Sequence, residues 1–375
     1  MVNSPAPTHE MDSDPNHAPT SALKRRIAAL EEENAQLSNK LIRTPIHSWV
    51  REGRVIRRLV SIADLVTDLI AEYDRRLMLV DDSEDIELVE STDEEQRTFR
   101  SLKKLLTWSP TLKNTMPSHT ELALVCYELK KGADGARADD TNSLKHSVAN
   151  WLNEQQPPPS PLLPVNDKQG RGFDHDLTGS LLCPIDFNWL DIPIRTAIRD
   201  YHPRYAVTAH MWPSFLYAKG RGDPESPSEG LFKGELLVRA FRCIFTSPGS
   251  SRREIENDAA IEPQGPPSKR QRTRCDVAGL LKMRSVQPRA IAYIAVQVRF
   301  ALSSNAFWTL KDDNFDYEIF YHNIVDWFEL PTSAAKSQEI DRLLRWWNRM
   351  IFGRRNASTL EPQDVAALSV ARSKV

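Results

Sequence analysis

Histidines, carboxylates and cysteines are where this chain of 375 residues, with a formal charge of only -2 at pH 7, could do chemistry. Its four cysteines, Cys126, Cys183, Cys243 and Cys275, stand far apart with no CxxC pair. That spacing argues against a zinc site and, inside a cell, for reduced thiols over disulfides. Gly170-Arg171-Gly172 has a GxG outline, but no strand precedes it and no helix opens on it, so it is weak as a nucleotide signature. Next to it, His175 and Asp176 could serve as base and orienter. Adjacent side chains seldom converge, however, and a turn held by glycine and aspartate is the expected structure. Tyr201, His202, His210 and Trp212 look like a site, yet a metal needs two histidines within a helical turn or on facing strands, and Pro203 breaks that register. The expectation is structural histidines, with no catalytic residue, no metal and no cofactor. The residues do not name a biochemical activity.

Other spacings suit binding. From Ser21, Leu23, Ile27, Leu30, Asn34, Leu37 and Leu41 alternate by four and three residues, which lines them along one seam of a short coiled coil. Asn34 at an a position would pair with its own copy in a parallel homodimer; docking of the lone helix on its own domain is the alternative. Residues 81–95 carry nine acids and no base. Within them Ile86-Glu87-Leu88-Val89 has the pattern of a SUMO-interaction motif, where Ile86, Leu88 and Val89 would add a strand to the modifier's sheet; an acidic linker touching the fold is the plainer reading. Lys269, Arg270, Arg272 and Arg274, behind Pro266 and Pro267, are spaced like a nuclear import signal that an import receptor would hold through 268–274. Arg51, Arg54, Arg57 and Arg58 make one helix start basic, and Arg342, Arg345, Arg349, Arg354 and Arg355 do the same near the C-terminus. Solvated faces explain both, and a nucleic-acid surface would need the two patches to be continuous.

The elements that would position these residues are mainly α-helical. The expected architecture is an irregular helical bundle with long loops, a short N-terminal coiled coil and disordered tails. Residues 1–20 read as disordered and 21–42 as the coiled coil. Helices follow over 46–152, around the acidic linker 81–95. There, Trp49, Ile56, Leu59, Ala63, Val66, Ile70, Tyr73 and Leu77 predict one long helix from 46 to 79. Helices over 121–131 and 143–151 should be separated by a loop at 132–142, because Gly132 and Gly135 read as helix stops. QQPPPSPLLP makes 153–168 a polyproline linker and the best domain boundary. Beyond it lies a helical domain over 169–352, interrupted by a disordered insert at 249–274 and followed by a loose tail, 353–375. Asp191 should cap a helix with Pro193 in its first turn. Phe232, Leu236, Leu237, Ala240, Phe241, Ile244 and Phe245 predict a central helix, Ile291 to Leu302 one buried on most sides, and Ile340, Leu343, Leu344, Trp347 and Ile351 an inward face. No run reaches the roughly 18 apolar residues of a membrane span and the first twenty residues are polar, so the expectation is an intracellular protein with no membrane partner.

One resemblance emerges from the second half. His202-Pro203, Trp212-Pro213-Ser214-Phe215-Leu216-Tyr217, Gly230-Leu231-Phe232-Lys233, Leu236 to Phe241 and Ile244 to Pro248 resemble a domain of unknown function from mushroom-forming basidiomycete fungi. Met283, Pro288 to Tyr293, Arg299 to Ser303 and Trp346-Trp347-Asn348 extend the likeness to roughly 165–352. It implies a real domain and carries no catalytic residues over. The leading expectation is therefore a non-enzymatic nuclear interaction or scaffold protein that self-associates. One rival is an enzyme or enzyme remnant using His175, His202, His210 or Asp200 near Trp212. The other is a nucleic-acid-associated protein linked to mobile elements.

Overall fold

A segment with apolar residues on every face has nowhere to go but the centre. In the computed structural model, which describes residues 48–79, 86–115, 119–246 and 276–353, that segment is Pro288–Leu302, and every residue of it after the proline is buried. Pro288 in the first turn starts it, since the missing N–H there has no intrahelical acceptor to lose.

The described helices are numbered in chain order: α1 (Trp49–Gly53), α2 (Ile56–Leu59), α3 (Val66–Leu79), α4 (Asp93–Trp108), α5 (Pro110–Thr115), α6 (His119–Asn153), α7 (Asp176–Leu182), α8 (Ile192–Arg199), α9 (Glu235–Phe241), α10 (Val277–Leu280), α11 (Pro288–Leu302), α12 (Tyr317–Glu329) and α13 (Ala334–Phe352). Around the buried α11 pack α2, α6, α9 and α12. The protein is mainly helical; its one described sheet is a hairpin of β1 (Lys311–Asp312) and β2 (Phe315–Asp316), paired antiparallel with Asp312 opposite Phe315. A π-turn, Arg242–Thr246, prolongs α9, and 3-10 turns fill much of 203–220.

Two buried arginines tie the core together through acidic partners. Arg58 makes a bidentate bond to Asp140, Nη2 to Oδ1 at 2.7 Å and Nε to Oδ2 at 2.8 Å, and the Tyr293 hydroxyl donates to the same carboxylate at 2.8 Å. Arg289 on α11 clasps Glu329 of α12 at 2.8 and 3.0 Å and donates to the Val60 carbonyl and to Ser101 Oγ. These ties join the N-terminal helices to the second half, and the described residues from Trp49 form one compact unit.

Three expected elements differ. The single helix over 46–79 is broken into α1, α2 and α3, because the chain must turn to lay α1 against α6. The predicted loop 132–142 lies inside α6, which runs 35 residues without a break. Gly132 and Gly53 are contact residues: a Cβ on Gly132 would stand 2.0 Å from the Val50 carbonyl oxygen, and one on Gly53 2.1 Å from that of Leu129. Glycine here lets two backbones touch instead of ending a helix. The proline-rich stretch does not separate two bodies either. The Asn153 side chain both donates to Leu163 O and accepts from Leu163 N, each at 2.9 Å, and Leu163 is buried.

The aromatics of the second half are packing. Trp212, Trp327 and Phe328 surround Phe232 with ring centroids 4.9 to 5.6 Å away, while Trp347 Nε1 donates to the Phe232 carbonyl at 3.1 Å. The Asp191 cap forms as expected, accepting from Ile194 N with proline at the helix start.

Candidate functional site

The C-terminal end of α11 gathers the cations that the packing does not neutralise. A helix leaves its last carbonyls without internal donors and carries partial negative charge there. Residues 164–172 wrap this end and supply the missing donors. Arg171 Nη1 donates to Ala301 O at 2.8 Å and to Lys145 O at 3.1 Å, its Nη2 donates to Pro164 O at 2.7 Å, and Gly172 N reaches Leu302 O at 2.9 Å. Gly172 has φ +73° and its Cα faces Ser304, so a side chain there would meet both backbone strain and crowding. The GxG outline is thus a wrap around a helix end, not a phosphate loop. Burial pushes the Arg171 guanidinium down to about 10.

Lys168 sits in the same wrap and is buried with a different set of partners. Its Nζ donates to Asn305 O at 2.6 Å and to Ser303 Oγ at 3.3 Å, and lies 3.3 Å from the centre of the Phe300 ring. Among the described residues no carboxylate bonds to it. Burial above all, then Arg171, with Arg299 and Lys145 adding repulsion, lowers its pKa to about 7, against an opposing pull from Asp312.

Beside Lys168 opens a cavity of about 210 Å³, large enough for a small ligand with its water. One wall is α6, where Arg137, Thr141 and Lys145 stand at successive four-residue steps on one face. Phe300 and Trp308 make the apolar side. Arg137 lies over the Trp308 ring at 5.1 Å and is 3.6 Å from Asp134 behind it. With Lys168, the lining holds three cationic side chains and no carboxylate. Such a space favours an anion with a flat or apolar part to lay on Trp308.

A second cavity, about 80 Å³, lies at the same helix end and is lined by Tyr201, Tyr205, Arg299, Asp312 and Asp313 among others. Its two arginines already have acidic partners. Arg299 donates to the Tyr317 hydroxyl at 3.0 Å, stands 3.8 Å from Asp312 and stacks on Phe315 at 3.3 Å, and Arg199 pairs with Asp176 at 2.7 Å.

The residues of the enzyme alternative are used elsewhere. His175 Nδ1 caps α7 by accepting from Leu177 N at 3.1 Å, and its Nε2 bonds Pro161 O at 2.7 Å. His202 accepts from Arg204 N at 3.2 Å and is exposed, as are Asp200 and His210. Trp212 packs on Phe232 and Phe320. None of these five lines either cavity. Cys126, Cys183 and Cys243 are free and buried, and burial holds the Cys183 thiol up at about 12.

Of the first arginine patch, Arg54 pairs with Asp139 at 2.7 Å, Arg57 with Asp134 at 3.4 Å, and Arg58 with Asp140 as described. Arg57 and Arg58 are buried, so they clamp α2 to α6 and do not form the solvated face that the sequence suggests. Ile86–Leu88 is a 3-10 turn in which Ile86 packs on the core, with the Ile86 carbonyl accepting from Arg76 at 3.3 Å and the Val89 carbonyl from Ser91 Oγ at 2.9 Å. In this conformation Ile86, Leu88 and Val89 are not the extended strand that sheet addition requires. The seam Leu23, Ile27, Leu30, Asn34, Leu37 and Leu41, the import-like Lys269, Arg270, Arg272 and Arg274, and the C-terminal Arg354 and Arg355 lie outside the described residues.

Sequence reasoning missed Lys168, Lys145 and Arg137. The four-residue spacing along α6 was a legible signal, hidden by reading 132–142 as a loop. Together these features define a mainly helical domain with a basic cavity at the end of its buried helix. The chain belongs to a family of unknown function, DUF6698, whose model matches residues 131–352. No curated protein and no solved structure matches it. The matched span starts within α6, earlier than the resemblance near 165 suggests, and so takes in every residue of the basic cavity.

Proposed function

We propose that this domain binds a small anion, or the anionic group of a larger partner, in the cavity of Arg137, Lys145 and Lys168. One observation carries the reading: Lys168 is 2 % exposed and bonds only to neutral oxygens. A buried charge without a counter-ion costs several kcal/mol, and an entering phosphate, sulfate or carboxylate supplies the missing partner. Trp308 and Phe300 give a planar or apolar part of the ligand a surface to cover. Because anion binding favours the ammonium form, it takes up protons and weakens as pH rises past about 7.

Calorimetric titration of the full chain with inorganic phosphate and with a nucleoside monophosphate at pH 6.5 and 8.5 tests this. Binding tighter at pH 6.5, and lost in Lys168→Met and Lys145→Met, is the expected result. An absence of binding at pH 6.5, or binding that survives both substitutions, overturns the reading.

The wider role we propose is that of a non-enzymatic interaction protein working in the nucleus, self-associating through Leu23 to Leu41. Its support is the seam spacing and the basic segment at 269–274, both features of sequence. The nucleic-acid reading is weaker, since Arg54, Arg57 and Arg58 already have aspartate partners on α6.

A further inference from the structure

We propose that Asp64, Glu318 and His322 form a site for one divalent transition-metal cation, a site independent of the basic cavity. Glu318 and His322 are one turn apart on α12, which places both side chains on one face. Asp64 comes from the loop between α2 and α3, and that loop is held. Ser61 Oγ accepts from Ala63 N at 3.4 Å and from Asp64 N at 3.1 Å, and Arg57 Nη1 donates to the Asp64 carbonyl at 2.9 Å. One ligand atom from each of the three residues lies within 4.8 Å of the other two. Tetrahedral ligands at ~2.1 Å from zinc are about 3.4 Å apart, so rotation of partly buried side chains is enough to close the set.

A second observation points to a missing ligand. Asp64 Oδ2 is buried and has no hydrogen-bond partner. Leaving a buried carboxylate oxygen without a donor forfeits its solvation with nothing in return, and no hydrogen bond joins Asp64, Glu318 and His322 that could relieve it. Acidic groups beside the cluster, Asp316 and Glu94, add negative charge around it. Arg57, Arg97 and Arg289 also face the cluster and oppose a further positive charge, with Asp326 offsetting them.

The N-terminal turn of α12 would by itself favour one acid there, which accounts for Glu318 but not for Asp64 meeting His322. Two carboxylates neutralise a dication, and the oxygen, oxygen, imidazole set suits Zn2+ or Mn2+ and leaves positions for water or a ligand.

The test uses the untagged full chain, stripped with chelator and titrated with Zn2+ and with Mn2+, with bound metal counted after dialysis. Wild type should hold one equivalent more than Asp64→Asn, Glu318→Gln or His322→Gln, and should gain melting temperature with metal where the variants do not. Co2+ should give a visible absorption band in wild type that is absent from His322→Gln. Asp64→Asn keeps the side-chain shape, so its circular dichroism separates loss of metal from loss of fold. Wild type that takes up no metal, or a folded Asp64→Asn that retains the same equivalent at the same affinity, overturns the proposal.

Discussion

At the scale of single residues, the chain separates charges that hold the fold from a charge that does not. Arg58 illustrates the first kind: burial would pull its pKa down, but the bond and attraction to Asp140 win and hold it above its ordinary value. Lys168 is the second kind. Its pKa falls from 10.5 unfolded to about 7 folded, so between those values the unfolded chain binds more protons. Stability therefore rises with pH across the window from about 7 to 10.5 and is flat below it, where both states are protonated. Lys168→Met should accordingly stabilise the protein against urea at pH 6 and lose most of that advantage by pH 10. A gain of equal size at both pH values would mean that the amine is not the strained group.

At the scale of elements, α6 is decided by two glycines with opposite meanings. Helix propensity favours alanine over glycine by about 1 kcal/mol in a helix interior. At Gly135 the nearest atom to an added Cβ is Arg54 Nη1 at 3.9 Å, so Gly135→Ala should stabilise by up to that amount. At Gly132 the added Cβ would strike the Val50 carbonyl at 2.0 Å, which forces α1 off α6. Gly132→Ala should then destabilise by about 2 kcal/mol or more, in the range of overpacked cores. Chemical denaturation of the two variants reads both signs, and a stabilised Gly132→Ala would contradict the close helix contact.

At the scale of the whole molecule, the second half supplies the buried helix, and the first half supplies most of the cations that flank its end. The cavity needs α6 for Arg137 and Lys145, α11 for Phe300 and the wrap at 164–172 for Lys168. Assembly beyond one chain rests on the proposed seam. Deleting residues 1–44 should halve the sedimentation mass per particle, and replacing Lys269 and Arg270 by alanine should move a fluorescent fusion out of nuclei. An unchanged mass and an unchanged distribution would remove self-association and import respectively.

The sequence alone determined the class of fold and the burial of 288–302, but it placed the central helix at 232–245, where the structure has the shorter α9 and its π-turn. Apolar residues on every face of 288–302 required burial, caps such as Asp191 fixed helix starts, and the absence of CxxC spacing agreed with three buried free thiols. Local periodicity suffices there because the burden falls on one element at a time. Only the tertiary structure decided the rest. Glycine ends a helix or lets another backbone touch it, and the difference lies in what faces the missing Cβ. An arginine run looks solvated until aspartates from an element about 80 residues away meet it. Lys168 and Asp64 carry no local pattern that links them to their partners, and the four-residue spacing of Glu318 and His322 does not point to Asp64, since those partners come from distant segments and meet only when the helices pack.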